Sequence, residues 1–523
     1  MTQTSQRILE ADLSSSRLAD TISDRLSQEL LVALVGPVGS GVSTAARYIE
    51  DILVQDFGYA VAPTIKPSDI IRAEAHRVEI VVPEKKPLDE YIDKMQTAGN
   101  ELRKKFGPNY LAEKAVEKIV LYRKENSGYD KKGQTQLPGR RAYIIDSIKN
   151  MEELELLRHI YHDTLCVIGV FAPDKPRKER LINKGVDKAG VQKILDRDEG
   201  EVATFGQMTR KVFVESDFFI CNDQKEEELR RRIARYLQIV FDASIHTPTL
   251  AESAMYKANA VASNSACMSR QVGAAIMSKS GELISVGWND VPKFGGSLYG
   301  EDDQYQFDKE KSSIQDTDHR CFKWGRKICH NEVRRNDILD KMASEIATSD
   351  LVKKKTTQAA IRNLLRGTEV DSLIEFSRSI HAEMEAILAV AREGRHSLVG
   401  ATLYTTTYPC HNCARHIVAS GIARVIYIQP YKKSLAIDLH NDSVTEDPYD
   451  NSHVVFQQYD GVAPCNFLKL FSAKTERKKD GKLLRTSPKS AVPVFRIPLD
   501  APMEYESKVI ADLSNKEQNE IEM

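Results

Sequence analysis

Long apolar runs are missing from this chain. The longest, Leu30–Val35 and Cys166–Phe171, fall far short of the roughly 18 residues that a membrane span needs. The opening stretch, MTQTSQRILEADLSS, has no basic segment leading into an apolar one, so no secretory signal is expected. Eight cysteines in 523 residues are too few for a disulfide scaffold. Two of them stand as Cys-x-x-Cys, which in a reducing compartment reads as a metal or redox pair. An excess of either charge is missing as well. With 74 Lys+Arg against 75 Asp+Glu the net charge is -1, which argues against a general nucleic-acid binder. The remainder, 41% hydrophobic and 28% charged, is that of an ordinary globular protein, expected in the cytoplasm. At about 150 residues per domain the length suggests about three domains.

The buried-strand signals come early. Glu29–Val35 (ELLVALV) is an apolar run of strand length that ends in the turn Gly36-Pro37-Val38-Gly39-Ser40-Gly41, and a helical pattern follows from Ser43. Further runs at Ala142–Ile145, Leu165–Phe171 and Asp217–Cys221 alternate with charged helical stretches, and Glu226–Phe241 reads as a closing helix. Strands alternating with helices predict a mainly parallel α/β sheet covered on both faces. The turn-rich segment Ser244–Thr249 is the expected boundary. Beyond it stand a helix (Leu250–Ser263), a hairpin (Val272–Met277 and Glu282–Gly287) and a polar insertion from about 291 to 373. A helix (Ser379–Arg392), a strand (Ala401–Thr406), a helix opening at Cys410 and a strand (Arg424–Ile428) complete a second α/β layer.

The strongest chemistry lies in that second layer: His381-Ala382-Glu383, then Pro409-Cys410-His411-Asn412-Cys413. Cys410 and Cys413 are three apart, so at a helix start they face one side and can share an ion. The helix N-terminus favours their thiolate forms. His381 makes a third ligand, and three protein ligands leave a fourth tetrahedral position for water. Two thiolates cancel the charge of a Zn2+ ion, which still lowers the pKa of a water it binds from near 16 toward about 7. Glu383 is the expected proton carrier between that water, the ring N3 and the leaving amine. Positions 381 and 383 share no helical face, so both serve one site only at a helix entry. A structural zinc would need a fourth protein ligand, and nothing beside these motifs supplies one.

His-x-Glu with Pro-Cys-x-x-Cys resembles the signature of the zinc nucleobase deaminases. Within that group, Ser265-Ala266-Cys267-Met268-Ser269-Arg270-Gln271-Val272-Gly273-Ala274-Ala275-Ile276 resembles the opening strand of deoxycytidylate deaminases. Gly287-Trp288-Asn289-Asp290-Val291-Pro292 resembles their Gly-Tyr-Asn-Gly-x-Pro turn, with Trp288 and Asp290 as departures. The resemblance implies a cytidine-deaminase-like α/β/α fold, a deoxyribose contact from Asn289, and base reading by the backbone of Ala382 and Glu383. It also implies a candidate second, structural zinc, drawn from Cys267, His319, Cys321, Cys329 and His330, whose spacing fits no single pattern.

The Gly-rich turn has its own chemistry. Gly36, Gly39, Ser40, Gly41, Val42, Ser43 and Thr44 follow a strand and open a helix, the context of a phosphate-binding P-loop. Ser43 takes the Mg2+-binding hydroxyl position, yet Val42 stands where the motif has lysine, which makes phosphoryl transfer doubtful. Asp146, the basic stretch Pro176-Arg177-Lys178-Glu179-Arg180 and Asp196-Arg197-Asp198-Glu199 make the ensemble resemble deoxynucleoside-monophosphate kinase-like domains. The expected order is therefore an N-terminal segment (1–27), a P-loop NTPase-like parallel-sheet domain (28–243), the deaminase domain (244–500) and an exposed tail (501–523).

This pairing resembles the bacterial antiphage dCTP deaminases. The resemblance implies hydrolytic deamination of free dCTP and dCMP, a nucleotide with Mg2+ at the P-loop, restraint by an inhibitory regulator (RNA or protein), and a homo-oligomer. Two alternatives remain at this level: a polynucleotide cytosine deaminase, and a non-catalytic nucleotide sensor with structural zinc.

Overall fold

The computed structural model describes residues 25–519, apart from 85–86, 130–135, 200–207, 224–225, 350–351, 354–355, 369, 371–372, 432–433, 475 and 485. Most of the expected N-terminal segment and parts of the insertion thus lie outside the described residues. Two units divide the chain: Met1–Thr247 with Asp460–Met523, and Pro248–Tyr459.

In the first unit, apolar runs become central strands. β1 (Leu30–Val35) is buried along its whole length and leads through the glycine turn into α1 (Val42–Gln55). α1 buries Ala45, Ala46, Ile49, Ile52 and Leu53, the one-sided stripe of a helix lying on a sheet. There follow β2 (Ala60–Val61), α2 (Leu88–Phe106), α3 (Tyr110–Glu125), β3 (Arg141–Asp146), α4 (Met151–Tyr161) and β4 (Leu165–Phe171). Then come α5 (Asp174–Asn183), α6 (Lys188–Glu199), β5 (Phe218–Cys221) and α7 (Glu226–Val240). The strands run parallel in the order β5-β4-β1-β3-β2. β1 lies between β4 and β3, which come later in the chain on opposite sides. The glycine turn therefore leaves β1 at the switch point of the sheet, where such folds open a crevice.

The second unit opens with α8 (Leu250–Ala262). Its capping box joins Thr249 and Glu252, each satisfying the other's backbone N–H. β6 (Gly273–Met277) and β7 (Leu283–Trp288) form the antiparallel hairpin. The insertion folds into a small hairpin, β8 (Tyr305–Asp308) and β9 (Ser313–Asp316), and two helices, α9 (His330–Ala347) and α10 (Gln358–Leu365). After it stand α11 (Ala382–Glu393), β10 (Thr402–Thr407), α12 (His411–Ala419), β11 (Arg424–Gln429), β12 (Val444–Thr445) and β13 (Val454–Gln458). The sheet order is β12-β13-β11-β10-β6-β7, parallel from β12 to β10 and antiparallel through the hairpin. Small residues set the approach of the helices. A Cβ on Gly287 in β7 would lie 2.4 Å from both the Ala382 carbonyl oxygen and the Ala386 nitrogen of α11.

From Asp460 the chain returns to the first unit. β14 (Gly461–Val462) adds an antiparallel edge beside β5. α13 (Asp500–Asn519) packs on α3 and α4 with Leu513 buried. Its Glu506 is 1% exposed and meets Arg123 of α3 at 2.7 Å, while Arg123 also binds Glu29 at 2.9 Å. Tyr161 donates to the same Glu506 carboxylate at 3.0 Å. This corrects two expectations: the second domain does not run to residue 500, and 501–519 form a docked helix rather than an exposed tail. A buried, doubly charged clasp needs partners far apart in sequence, Glu29, Arg123 and Glu506, which no local pattern announces.

Candidate active site

Two helix entries converge in the second unit. His381 is the residue capping α11, in extended conformation, and Glu383 is the second residue of that helix. Cys410 caps α12 in the same conformation, with Cys413 one turn inside. His381 Nδ1 lies 3.3 Å from the sulfur of Cys410 and 3.3 Å from that of Cys413. The three donor atoms lie within 4.8 Å of one another, and no other group of three or more His, Cys, Asp or Glu does so among the described residues. The helix expected from Ser379 begins at Ala382 instead. That later start puts His381 at the cap, where an extended residue can turn its ring toward the next helix.

The protonation pattern follows from this packing. Hydrogen bonds from Cys413 and His381 hold the Cys410 thiol down to about 4, and the resulting thiolate pushes His381 up to about 9. One imidazole and two sulfurs that share protons so closely form a soft donor set, and they fit a tetrahedral Zn2+ with one position left over. Zinc bound there would supply Lewis acidity to a water molecule. The chain's own contribution is Glu383. Its carboxyl is 4% exposed, accepts from the Cys413 thiol at 3.4 Å, and is raised above the ordinary carboxylate range chiefly by burial. A carboxyl so raised holds a proton more readily than an exposed one, the direction that favours a general acid–base.

The site opens into a cavity of about 320 Å3, the size that takes a small organic ligand. His381, Ala382, Glu383, Cys410 and Asn289 line it. Asn289 is doubly occupied by backbone: its oxygen accepts from the Val272 N–H at 2.7 Å and its nitrogen donates to the Arg270 carbonyl at 2.8 Å. An amide carries two N–H protons, and that second bond uses one of them. Asp290 is a brace: it accepts from the N–H groups of Ala266 and Val291, and its carbonyl accepts from Ile380, just ahead of His381. The glycine of the resembling turn is thus replaced by a residue whose side chain ties the Ala266 segment to the turn, while its backbone carbonyl holds Ile380.

Cys267, Cys321, Cys329 and His330 line the same cavity, without assembling as a three-atom metal group. His319 instead lies among Tyr299 and Trp324. Sequence reasoning missed Arg270, Arg335, Arg378 and Tyr431, which also line the cavity. The Arg270 guanidinium lies 5.5 Å from the Tyr431 ring and that of Arg378 lies 4.2 Å from Trp324. Arg270 stands inside a motif segment and Arg378 three residues before His381. Their common destination depends on the folding of the insertion.

The glycine turn of the first unit is also built. Gly39 and Gly41 take φ of 84° and 90°, the left-handed region that favours glycine. The carbonyls of Val38, Gly39 and Ser40 accept from Arg177, Arg180 and Asn222 respectively. Ser43 Oγ donates to Asp146 at 2.7 Å, and Val42 packs against the core of the unit.

An imidazole, two cysteine sulfurs and one buried carboxyl, gathered at two helix entries beside a ligand-sized cavity, define a zinc-type hydrolytic deaminase. The family model for the cytidine and deoxycytidylate deaminase zinc-binding region matches residues 248–429. The deoxycytidylate deaminase of Enterobacteria phage T4 is 30% identical over 177 residues, covering 33% of this chain and 75% of that one. The chain belongs to the cytidine and deoxycytidylate deaminase family. A UPF0200 protein of Aeropyrum pernix is 27% identical over 209 residues, 39% of this chain and 92% of that one. The crystal structure of dCMP deaminase from cyanophage S-TIM5 is 17% identical and covers 41% of this chain and all of that one, at a TM-score of only 0.22. Among the described residues no helix is long and apolar enough to cross a membrane.

Proposed function

We propose that the second unit deaminates free deoxycytidine nucleotides, dCTP and dCMP, to the deoxyuridine nucleotides. The observation that carries this reading is the cavity itself: His381, Cys410 and Glu383 line it, and so do Arg270, Arg335 and Arg378. A base needs the first and a charged phosphate group the second. Glu383 takes the proton of the attacking water and passes it to ring N3; it then takes the hydroxyl proton of the tetrahedral adduct, as the carbonyl forms, and gives it to the leaving amine. Asn289 keeps an amide proton for the deoxyribose, and Ala382 borders the base. In a phage-infected cell this activity would drain dCTP, as the resemblance to antiphage deaminases implies. The first unit would bind a nucleotide with Mg2+ at Ser43 and report it to the deaminase, and an inhibitory RNA or protein would hold the enzyme back.

The test is ammonia release from dCTP, dCMP, CTP and deoxycytidine side by side, with Glu383→Ala as control. Turnover of the phosphorylated deoxy substrates, lost in the variant, is the expected result. Preference for unphosphorylated deoxycytidine would remove the role given to the arginines.

One observation favours a polynucleotide substrate as a second reading. The insertion and its flank pair cations with exposed rings: Lys323 on Tyr305, Arg320 on Phe322, Arg378 on Trp324. Such platforms stack single-stranded bases. A mass gain of about 1 Da per cytosine in a treated oligonucleotide, the result of exchanging an amine for a carbonyl, would establish it.

A further inference from the structure

The phosphate loop lacks its lysine, yet a lysine and an anion already meet on it. Asp198, in the last turn of α6, is completely buried. One of its carboxylate oxygens accepts from the Val38 backbone N–H at 2.7 Å. The other is paired with Lys149, three residues beyond Asp146. Lys149 is itself fixed, since its carbonyl accepts from the Met208 N–H at 2.8 Å and its neighbour Ile148 donates to Leu34 of β1.

This arrangement runs against what α6 alone would choose. A carboxylate in the last turn faces the negative end of the helix dipole, and burying it costs free energy unless a cation and N–H donors hold it. The loop and Lys149 provide both. The loop's carbonyls at Val38, Gly39 and Ser40 are engaged by Arg177, Arg180 and Asn222. The wholly buried Ser40 hydroxyl has no hydrogen-bond partner among the described residues. An acceptor-only group with two oxygens on a loop N–H and a lysine reproduces what one phosphate would do there.

Given that the loop is a nucleotide site, as proposed above, we propose that Asp198 is a built-in plug for its phosphate position. In this scheme Lys149 supplies the cation that Val42 cannot. A nucleoside triphosphate binds by displacing the Asp198 carboxylate from Val38 and Lys149, which frees the end of α6. The exchange breaks no covalent bond: one anion replaces another on the same donors. Occupancy of the site is thereby coupled to the position of α6, a means of sensing nucleotide without hydrolysing it.

Calorimetric titration of Mg-ATP into the full chain tests this, because an adenine nucleotide avoids the cytosine site. Asp198→Asn keeps the shape and removes the competing charge, so its Kd should fall about tenfold relative to the parent. Lys149→Ala should raise the Kd about tenfold, and adding Val42→Lys should restore it. Thermal melts accompany each variant, and Lys149→Met replaces the alanine variant if that one melts early. An unchanged or weaker affinity in Asp198→Asn, or an unchanged one in the lysine variant, overturns the plug while leaving the nucleotide site standing. Absence of ATP binding in the parent and in Asp198→Asn alike would overturn the nucleotide site itself, and the plug with it.

Discussion

The chain uses helix entries twice, and in opposite ways. At the zinc-type site the capping residues are the chemistry: His381 and Cys410 occupy the caps of α11 and α12, and their side chains meet. At the glycine turn the cap of α1 is Gly41, without a side chain, and what meets the turn is brought from elsewhere, as Asp198 is to the Val38 N–H. The first site is therefore specified by residues within a few positions of one another. The proposed nucleotide site would depend on Asp146, Lys149 and Asp198, more than a hundred residues away. The lesson is that a local site tolerates little change in its own letters. In the proposal above, a distributed one can lose a central letter, as at Val42, and be completed from another element.

The sharpest way to break the comparison is Glu383→Ala. In the proposed mechanism both proton transfers pass through this one carboxyl, so deamination should drop by about 10^4-fold, the upper end for general acid–base groups. Zinc content should match the parent, because Glu383 is not among the three donors. His381→Ala and Cys410→Ala should lose metal and activity together. Equal zinc in all three variants by metal analysis would refute the ligand assignment.

A second, smaller effect separates the units. Glu506→Ala leaves Arg123 buried with a single carboxylate, Glu29, and breaking one side of a buried charged clasp costs about 3 kcal/mol. Chemical denaturation should show the first unit weakened, while turnover of the folded enzyme stays near the parent value. A loss of turnover without a loss of stability would mean that the C-terminal helix serves the deaminase rather than the first unit's core.

The same contrast explains what was legible in advance. Continuous apolar runs such as Leu30–Val35 and Leu165–Phe171 gave their strands to within a residue or two, because burial on both faces leaves no other pattern. The His-x-Glu and Cys-x-x-Cys spacings likewise carry their own geometry. The return of the chain at Asp460 was not readable, since a two-residue edge strand and a single buried Glu506 leave no periodicity. Nor were Arg270, Arg335 and Arg378 readable as neighbours, because the insertion decides where they meet. Asn289 stands in the cavity wall, as its motif led one to expect, but its bracing of Val272 and Arg270 was not readable, because it requires the hairpin to be folded first.

Gly287→Ala probes how much distortion the local site tolerates. The added Cβ would meet the α11 backbone at 2.4 Å on both the Ala382 oxygen and the Ala386 nitrogen, and backbone cannot swing aside as a side chain can. Overpacking of this kind costs about 2 kcal/mol, and it pushes on the turn that carries His381 and Glu383. The melting temperature should fall, and kcat should fall more than KM rises, because the catalytic carboxyl is displaced more than the arginines. A variant with parental kcat would show that α11 can shift as a rigid body without disturbing the donors.

The smallest expected effect lies at the distributed site. Ser43 is exposed and gives its hydroxyl to Asp146 at 2.7 Å, so Ser43→Ala removes one partly solvated hydrogen bond, about 1 kcal/mol or less. Basal deamination of dCMP should be unchanged, since the donors, Glu383 and the cavity all belong to the other unit. What should change is the response to Mg2+. If Ser43 holds the ion beside a bound nucleotide, the thermal stabilisation given by Mg-ATP should shrink in the variant toward that given by ATP in chelator. Mg-dependent stabilisation equal to the parent's would take the ion away from Ser43. The loop would then be a site for phosphate alone, held by backbone N–H groups and Lys149.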